Sequence, residues 1–439
     1  MNYTTRSHEK RLLHAFSSPM ITGILGARRI GKSTLIDHYI SQHPEITAVR
    51  LNMDKMAERE KIKAGKLETM ILTSIQRHLK SHDRVWVTID EAQKCPEIFE
   101  QIKVLYDEYK DQDAIKFILT GSALLELHRL SAESLAGRIN LFYLSAFNLS
   151  ETLKLKHDTD VHSSVFDLID SGNMNEDTWH DYFHHLLPWS ALLKQSLMEL
   201  QLWGGLPEVL VLNNDNDRLD YLANYLQTYL EKDVRAIASI TDLTLYRNLM
   251  DITAEQTGSI RDDVRIFHAL HCHRDTLNKY RSYLQATLMY QETEPYINST
   301  LKRLVKAPKG YLINNGLISF LRGVHDPELL MKTGQIGHRF ENWFLNELQV
   351  WLNKNPGRHT LHYWRTTTGA EVNFVVKKPP HVYPFEITFA DSIEPKKVRN
   401  LIRFCEYEPE AKLAFYVYMG DFKMDKENNI VFLPAWAVC

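Results

Sequence analysis

Between residues 20 and 145, short apolar and β-branched runs alternate with charged or amphipathic stretches. The runs are "MITGILG", "ITAVRLNM", "RVWVTID", "IKFILTG" and "INLFYL". Between the second and third lies "KMAEREKIKAGKLETMILTSIQRHLK", charged and then amphipathic, which predicts helix. Strands alternating with helices predict a parallel sheet covered by helices. From about residue 146 the pattern changes. "SETLKLKHDTDVHSSVFDLIDSGNMNEDTW" is polar and weakly periodic, and residues 190–235 are helical apart from a turn at "WGGLPEVL". Residues 241–297 predict short helices followed by a strand pair in "TLMYQETEPYI", and residues 331–439 return to mixed α and β. The expected division is therefore 1–147, 148–240, 241–330 and 331–439. There is no internal repeat and no low-complexity tract.

Composition narrows the classes without choosing one. A chain of 439 residues, 44% hydrophobic and 24% charged, is long enough for several globular domains. No apolar run approaches the roughly 18 residues of a membrane-spanning helix. The N-terminus "MNYTTRSHEKRLLHAF" lacks the apolar core of a secretory signal and reads as mature protein. Four cysteines, Cys95, Cys272, Cys405 and Cys439, lie far apart with no CxxC pair. That spacing speaks against a disulfide framework or structural zinc and fits a reducing cytoplasm. With a net charge of −3, any contact with nucleic acid must come from a local patch.

The candidate chemistry begins at "GILGARRIGKSTLI", residues 23–36. Gly26-Ala27-Arg28-Arg29-Ile30-Gly31-Lys32-Ser33-Thr34 follows an apolar strand and has the spacing of a phosphate-binding P-loop. Its glycines let successive backbone N–H groups turn onto a β-phosphate, at the positive end of the following helix. Lys32 can reach the β- and γ-phosphates, and the Ser33 hydroxyl can ligate Mg²⁺. ATP and Mg²⁺ are therefore the expected cofactors. "VWVTIDEA" puts Asp90 and Glu91 at the end of another apolar strand. There Asp90 can hold Mg²⁺ through water, and Glu91 can act as general base on the attacking water. Thr120 and Ser122 in "FILTGS" can sense the γ-phosphate or orient water, although TGS also reads as a turn. Arg138, before the last strand, can reach a γ-phosphate in its own site or a neighbouring subunit's, or simply form a surface ion pair.

In this order, the set resembles the AAA+-like P-loop ATPases of bacteria and archaea that carry a C-terminal domain of unknown function. The stretches that carry it are "GARRIGKSTL", "VTIDEAQKCPEIFEQIK", "FILTGSALLEL", "ESLAGR", "WGGLPEV", "YLEKDV", "KRLVKAPKGYLINNGLISFLRG", "GHRFENWFLNEL", "YWRTTTGAEVNFVV" and "PFEITFA". Only the part near 150–190 falls outside it. The resemblance implies a five-stranded parallel P-loop NTPase core, catalysis by Glu91, Arg138 as finger and Thr120/Ser122 as sensor. It also implies a winged-helix segment within 241–330, with "HRDTLNKYRSYLQATLMY" as its recognition-type helix.

For residues 331–439 the resemblance implies a mixed α/β domain like the PD-(D/E)xK nucleases. The matching positions are Glu341, Asn373, Glu386 and Thr388. The family pattern has aspartate at 373 and lysine at 388. An amide ligates Mg²⁺ poorly and a hydroxyl supplies no cation, so a catalytically inactive site is expected. Glu371, two residues before Asn373, faces the same side of a strand and can substitute as a ligand; Lys377 or Lys378 can replace the cation, although nothing in the sequence requires it.

The remaining features add less. "HCH" at 271–273 is too tight for one tetrahedral metal site, and "FHHLL" at 183–187 reads as amphipathic helix. "KKVRNLIRFCEYEPE" reads as a solvated amphipathic helix. Arg274, Lys279 and Arg281 on one helix, with Lys302, Arg303, Lys306 and Lys309 nearby, suggest contacts to phosphates of double-stranded DNA, or a solvated charged turn. The expected function is an ATPase coupled to conformational change, acting on or regulated by DNA. The alternatives are a nucleotide-controlled protein-interaction scaffold and, further off, an active Mg²⁺-dependent nuclease. A homo-oligomer is expected if Arg138 works across subunits.

Overall fold

The computed structural model describes residues 3–75, 84–110, 115–122, 133–161, 164–172, 175–235, 240, 242–297, 306–354, 357 and 359–439. Expectations for "ALLEL", Lys302 and Arg303 lie outside the described residues. The chain divides into two compact units. One holds residues 1–145, 232–239 and 282–288, the other 146–231, 240–281 and 289–439.

In the first unit all five expected strands form: β1 (Ile21–Leu25), β2 (Thr47–Asn52), β3 (Val85–Asp90), β4 (Ile115–Gly121) and β5 (Ile139–Tyr143). They pair in parallel in the order β2-β3-β4-β1-β5. β1 sits inside the sheet and is buried along its whole length, which is why its sequence is apolar apart from Thr22, whose hydroxyl donates to the Ala15 carbonyl. Helices Leu67–Ile75 and Glu97–Tyr109 cover it, packing Leu67, Ile71, Ile98, Phe99 and Ile102 onto Val87, Ile89 and Phe117. The fold is that of a P-loop NTPase core. The C-terminal ends of β1, β3 and β4 share one edge, where every expected nucleotide-site residue except Arg138 is found.

In the second unit, β6 (Ser259–Ile260), β7 (Tyr290–Pro295), β8 (Lys309–Leu312), β9 (Thr360–Arg365), β10 (Glu371–Lys378), β11 (His381–Ile387), β12 (Ala414–Tyr418), β13 (Lys423–Asp425) and β14 (Ile430–Pro434) build one mixed sheet. Its order is β13-β14-β12-β11-β10-β9-β7-β8-β6. "TLMYQETEPYI" gives the single strand β7, whose partner β8 lies further along the chain. Segments 241–330 and 331–439 thus contribute to the same sheet, through the parallel pairing of β7 with β9. Both faces are covered. Along β12, Phe415 and Val417 join a core with Trp179, Phe344 and Phe385, while Ala414, Tyr416 and Tyr418 join another with Leu401 and Phe404. β10 changes register against β9 between Val372 and Val375, a bulge that falls where Asn373 stands.

Candidate functional site: a phosphate-binding loop and a carboxylate centre

Two places in the molecule gather charged side chains around a buried lysine. The first is the loop after β1. Gly31 has φ +93° and caps helix Lys32–Gln42, and Arg29 is also left-handed at φ +63°. This alternation turns backbone N–H groups to one side, a concavity suited to an anion. Gly26 is required for a different reason: a Cβ there would lie 2.2 Å from Ile30 Cδ1 and 2.5 Å from the Leu144 carbonyl. Lys32 is buried and donates to the Gly26 and Ala27 carbonyls, each at 2.9 Å. Burial pushes its pKa down, against the raising fields of Glu91 and Asp90. The N-terminal segment clamps the loop, Arg6 donating to the Ile30 carbonyl at 2.9 Å and the Ser145 carbonyl at 2.6 Å.

The strand ends complete the arrangement. Ser33 Oγ donates to Asp90 Oδ2 at 3.1 Å, and Thr120 Oγ1 donates to Asp90 Oδ1. Glu91 follows at φ +53°, a conformation costing a side-chain-bearing residue roughly 1–3 kcal/mol. Its Oε2 accepts from Ser122 Oγ at 3.1 Å and Gln93 Nε2 at 2.6 Å. The structure thus brings Lys32, Ser33, Asp90, Glu91, Thr120 and Ser122 to one edge of the sheet. A hydroxyl and a carboxylate within 3.1 Å of each other are hard oxygen donors of the kind Mg²⁺ takes, so this donor set fits the ion.

Arg138 is placed differently. Its carbonyl accepts from Ile21 N at the start of β1, whereas the loop follows the end of β1. Five strand residues separate the two levels, roughly 16 Å. The guanidinium is engaged by Asp107 at 2.9 and 2.8 Å. Of the two sites it was expected to reach, its own is therefore withdrawn.

Residues that sequence reasoning missed also meet here. Asp233, in "YLEKDV", accepts from Arg28 Nη1 at 2.7 Å and is 6% exposed. Burial works against the Arg28 charge, but Asp233 outweighs it and raises the pKa. Gln93 follows the strand-end glutamate by two positions. Neither residue carries a spacing signal of its own.

With this geometry in view, the comparison with known families is decisive for the first part of the chain: residues 18–153 match the family described as "AAA domain". The N-terminal part of the chain is an AAA-type P-loop domain. Beyond the AAA domain, residues 194–328 match "Domain of unknown function (DUF8612)" and residues 336–438 "Domain of unknown function (DUF4143)". Uncharacterized proteins of Mycobacterium tuberculosis and Mycobacterium bovis are each 26% identical over 432 residues, covering 98% of this chain and 83% of theirs. Among solved structures, a Walker-type ATPase of Pyrococcus abyssi is similar at 18% identity and a TM-score of 0.47. That match covers 73% of this chain and 96% of that one.

The second gathering, outside the AAA domain, contains the expected nuclease-like positions. Glu341, on helix Ile336–Lys354, accepts from Asn373 Nδ2 at 2.7 Å, and Asn373 Oδ1 accepts from Ile387 N at 2.8 Å. Lys309 lies 3.4 Å from Glu341 Oε2 and 2.5 Å from Glu371 Oε1. Tyr311 OH donates to Glu341 Oε2 at 3.4 Å. Lys397 donates to Thr388 Oγ1 at 2.7 Å and stands 3.5 Å from Glu386 Oε1. Burial pushes the Glu386 carboxyl up to about 8. Glu371 joins the group through Lys309. Lys377 and Lys378 do not: Lys378 pairs with Asp170 at 2.6 Å, and Lys377 lies over the Tyr296 ring. The cation beside Thr388 is Lys397, nine residues on, supplied by helix Pro395–Tyr407.

The expected basic patch is also corrected. Arg281 is buried and paired with Asp263 at 2.6 Å, and Lys309 is 3% exposed among carboxylates, so neither faces solvent phosphate. Arg274, Lys279 and Lys306 are exposed.

Proposed function

We propose that the AAA domain binds ATP over residues 26–34 and hydrolyses it with Mg²⁺, Glu91 acting as general base. The observation that carries this reading is the meeting of Ser33, Asp90, Thr120, Glu91 and Ser122 beside Lys32 at the ends of β1, β3 and β4. Ser33 and Asp90 would hold Mg²⁺, which when bound supplies charge neutralisation at the β- and γ-phosphates. Lys32 exchanges its two carbonyl partners for phosphate oxygens. Glu91, held by Ser122 and Gln93, takes the proton of the attacking water. Arg138, at the opposite edge of the sheet, serves a neighbouring subunit, which makes the working form a homo-oligomer. The protein acts in the cytoplasm.

In this proposal the ATPase core spans 1–147 and a helical insertion 148–240. A winged-helix-like part follows at 241–330 and a nuclease-like, non-cleaving part at 331–439. Helices Leu243–Glu255, Asp263–Ala269 and Arg274–Ala286 with β6, β7 and β8 follow the chain order of a winged helix, which supports the third assignment. Nucleotide turnover drives conformational change that acts on, or answers to, double-stranded DNA through Arg274, Lys279 and Lys306. The withdrawal of Arg281 and Lys309 from that surface favours a second reading, a nucleotide-controlled protein-interaction scaffold.

Steady-state ATP hydrolysis by wild type and Glu91→Gln, with and without double-stranded DNA at low salt, tests both. Hydrolysis that depends on Glu91 and rises with DNA supports the first reading. Glu91-dependent hydrolysis indifferent to DNA supports the scaffold. Equal rates in the two proteins sink the assignment of Glu91.

A further inference from the structure

The carboxylate centre of the second unit has the outline of a divalent-cation site, and its residues do not fit one. A Mg²⁺ ion joining Glu341 to Glu371 would lie about 2.1 Å from an oxygen of each. Lys309 Nζ already stands between these two side chains, 3.4 Å from Glu341 Oε2 and 2.5 Å from Glu371 Oε1. An ion placed there would overlap the ammonium nitrogen. The lysine is anchored from below: β8 is buried along its whole length and paired with both β7 and β6, so Lys309 does not swing away like a surface side chain.

A second observation, on a different strand, agrees. Asn373 uses both ends of its amide, donating to Glu341 and accepting from Ile387 N. An aspartate in that position would set two anions 2.7 Å apart, an arrangement that needs a cation between them. With the amide, the third negative charge is gone, and the remaining pair faces Lys309, with Arg365 Nε 3.7 Å from Glu371 Oε2. Lysine at 309 and asparagine at 373 are thus complementary changes: one brings the cation in, the other removes the charge that would have called for more.

We propose that Lys309 is the resident cation of this centre, standing where a divalent metal would otherwise sit, so that the centre takes up no divalent ion and cleaves no phosphodiester. It works instead as a latch, tying β8 and β10 to helix Ile336–Lys354 through one buried charge.

Mn²⁺ tests this in the full-length chain, by calorimetry and by thermal unfolding without nucleotide, with Glu341→Gln distinguishing this centre from any other Mn²⁺ site. Wild type is expected to show no Glu341-dependent binding at millimolar Mn²⁺. Lys309→Ala is expected to gain one such site and to rise by at least about 2 °C in Tm with the ion. Lys309→Ala combined with Asn373→Asp is expected to bind at least tenfold more tightly than Lys309→Ala alone. Binding by wild type that disappears in Glu341→Gln overturns the proposal, as does a folded Lys309→Ala that ignores Mn²⁺. If Lys309→Ala is unfolded without the ion, the proposal requires Mn²⁺ to restore its unfolding transition, and failure to do so overturns it as well. A supercoiled plasmid supplies the other arm: wild-type cleavage in Mg²⁺ or Mn²⁺ that is lost in Glu341→Gln contradicts a sealed centre.

Discussion

The two buried lysines show how much a cation's partners decide. Lys32 is held by two neutral carbonyls, and burial depresses its pKa. Lys309 is buried just as deeply, yet Glu341 and Glu371 overcome the burial and raise its pKa. Carbonyl dipoles steady an ammonium without cancelling its charge, so Lys32 remains attractive to an incoming phosphate. Two carboxylates cancel it, and Lys309 has nothing left to offer a ligand. The same residue type thus serves as a waiting contact in one unit and a finished one in the other.

Substitutions that separate the two roles have effects of very different size. The largest is expected at the strand end. Glu91→Gln should retain ATP binding while turnover falls at least a hundredfold, and Lys32→Ala should lose binding as well; calorimetry beside a phosphate-release assay distinguishes the two. Next comes Lys309→Met, which takes the ammonium away from Glu341 and Glu371 and should lower stability by about 3 kcal/mol with the ATPase little changed. A denaturation midpoint equal to wild type would mean the pair contributes nothing.

A smaller, pH-dependent effect is expected at Glu347, buried in the same helix as Glu341. Its carboxyl oxygen Oε1 accepts from Leu149 N at 2.9 Å, and burial raises its pKa well above the ordinary range. The folded protein therefore keeps a proton that the unfolded chain releases above about pH 4.3. Stability contributed by this group is complete below that pH and declines as pH rises toward the folded-state value. Glu347→Gln should flatten that decline in melting curves taken from pH 5 to 8; an unchanged slope would place the dependence elsewhere.

Asp233→Asn removes a negative charge that acts on both Arg28 and Lys32. ATP affinity should rise a few-fold with hydrolysis retained, and a fall would show that the Arg28 pairing positions the loop. The smallest effect belongs to Arg138→Ala, whose guanidinium, among the described residues, donates to Asp107 and to a backbone carbonyl of its own loop. At low protein concentration its ATPase should match wild type. Any loss should appear only as the chain is concentrated, if the residue works across subunits.

The AAA core was legible in the sequence because each of its signals is local. Five apolar runs became five strands, and the loop spacing placed Gly31 where a left-handed residue caps the helix. Asp90 and Glu91 could be found because a strand end fixes where its last residues point. What sequence did not carry were contacts between distant segments. Asp233 meets Arg28 across 205 positions, and Lys309 meets Glu341 on a helix and Glu371 on β10, elements that no periodicity pairs with β8. Lys397 was missed for a related reason: the missing cation was sought along β10, whereas a helix beside β11 supplied it. Arg281 looked like part of a solvated basic face because its helix is strongly charged, and only the approach of Asp263 and Glu292 shows it turned inward.

The nine-stranded sheet has a narrow join between β7 and β9. Among the described residues, β7 and β9 pair at Glu294 with His362 and at Pro295 with Tyr363. A protease or a gene truncation acting between them would not release two tidy modules. Each piece would carry away an unzipped border of main-chain donors and acceptors, the kind of border on which strands of other chains assemble. The 241–330 and 331–439 segments thus share one sheet, and cutting the join strips pairing from both at once.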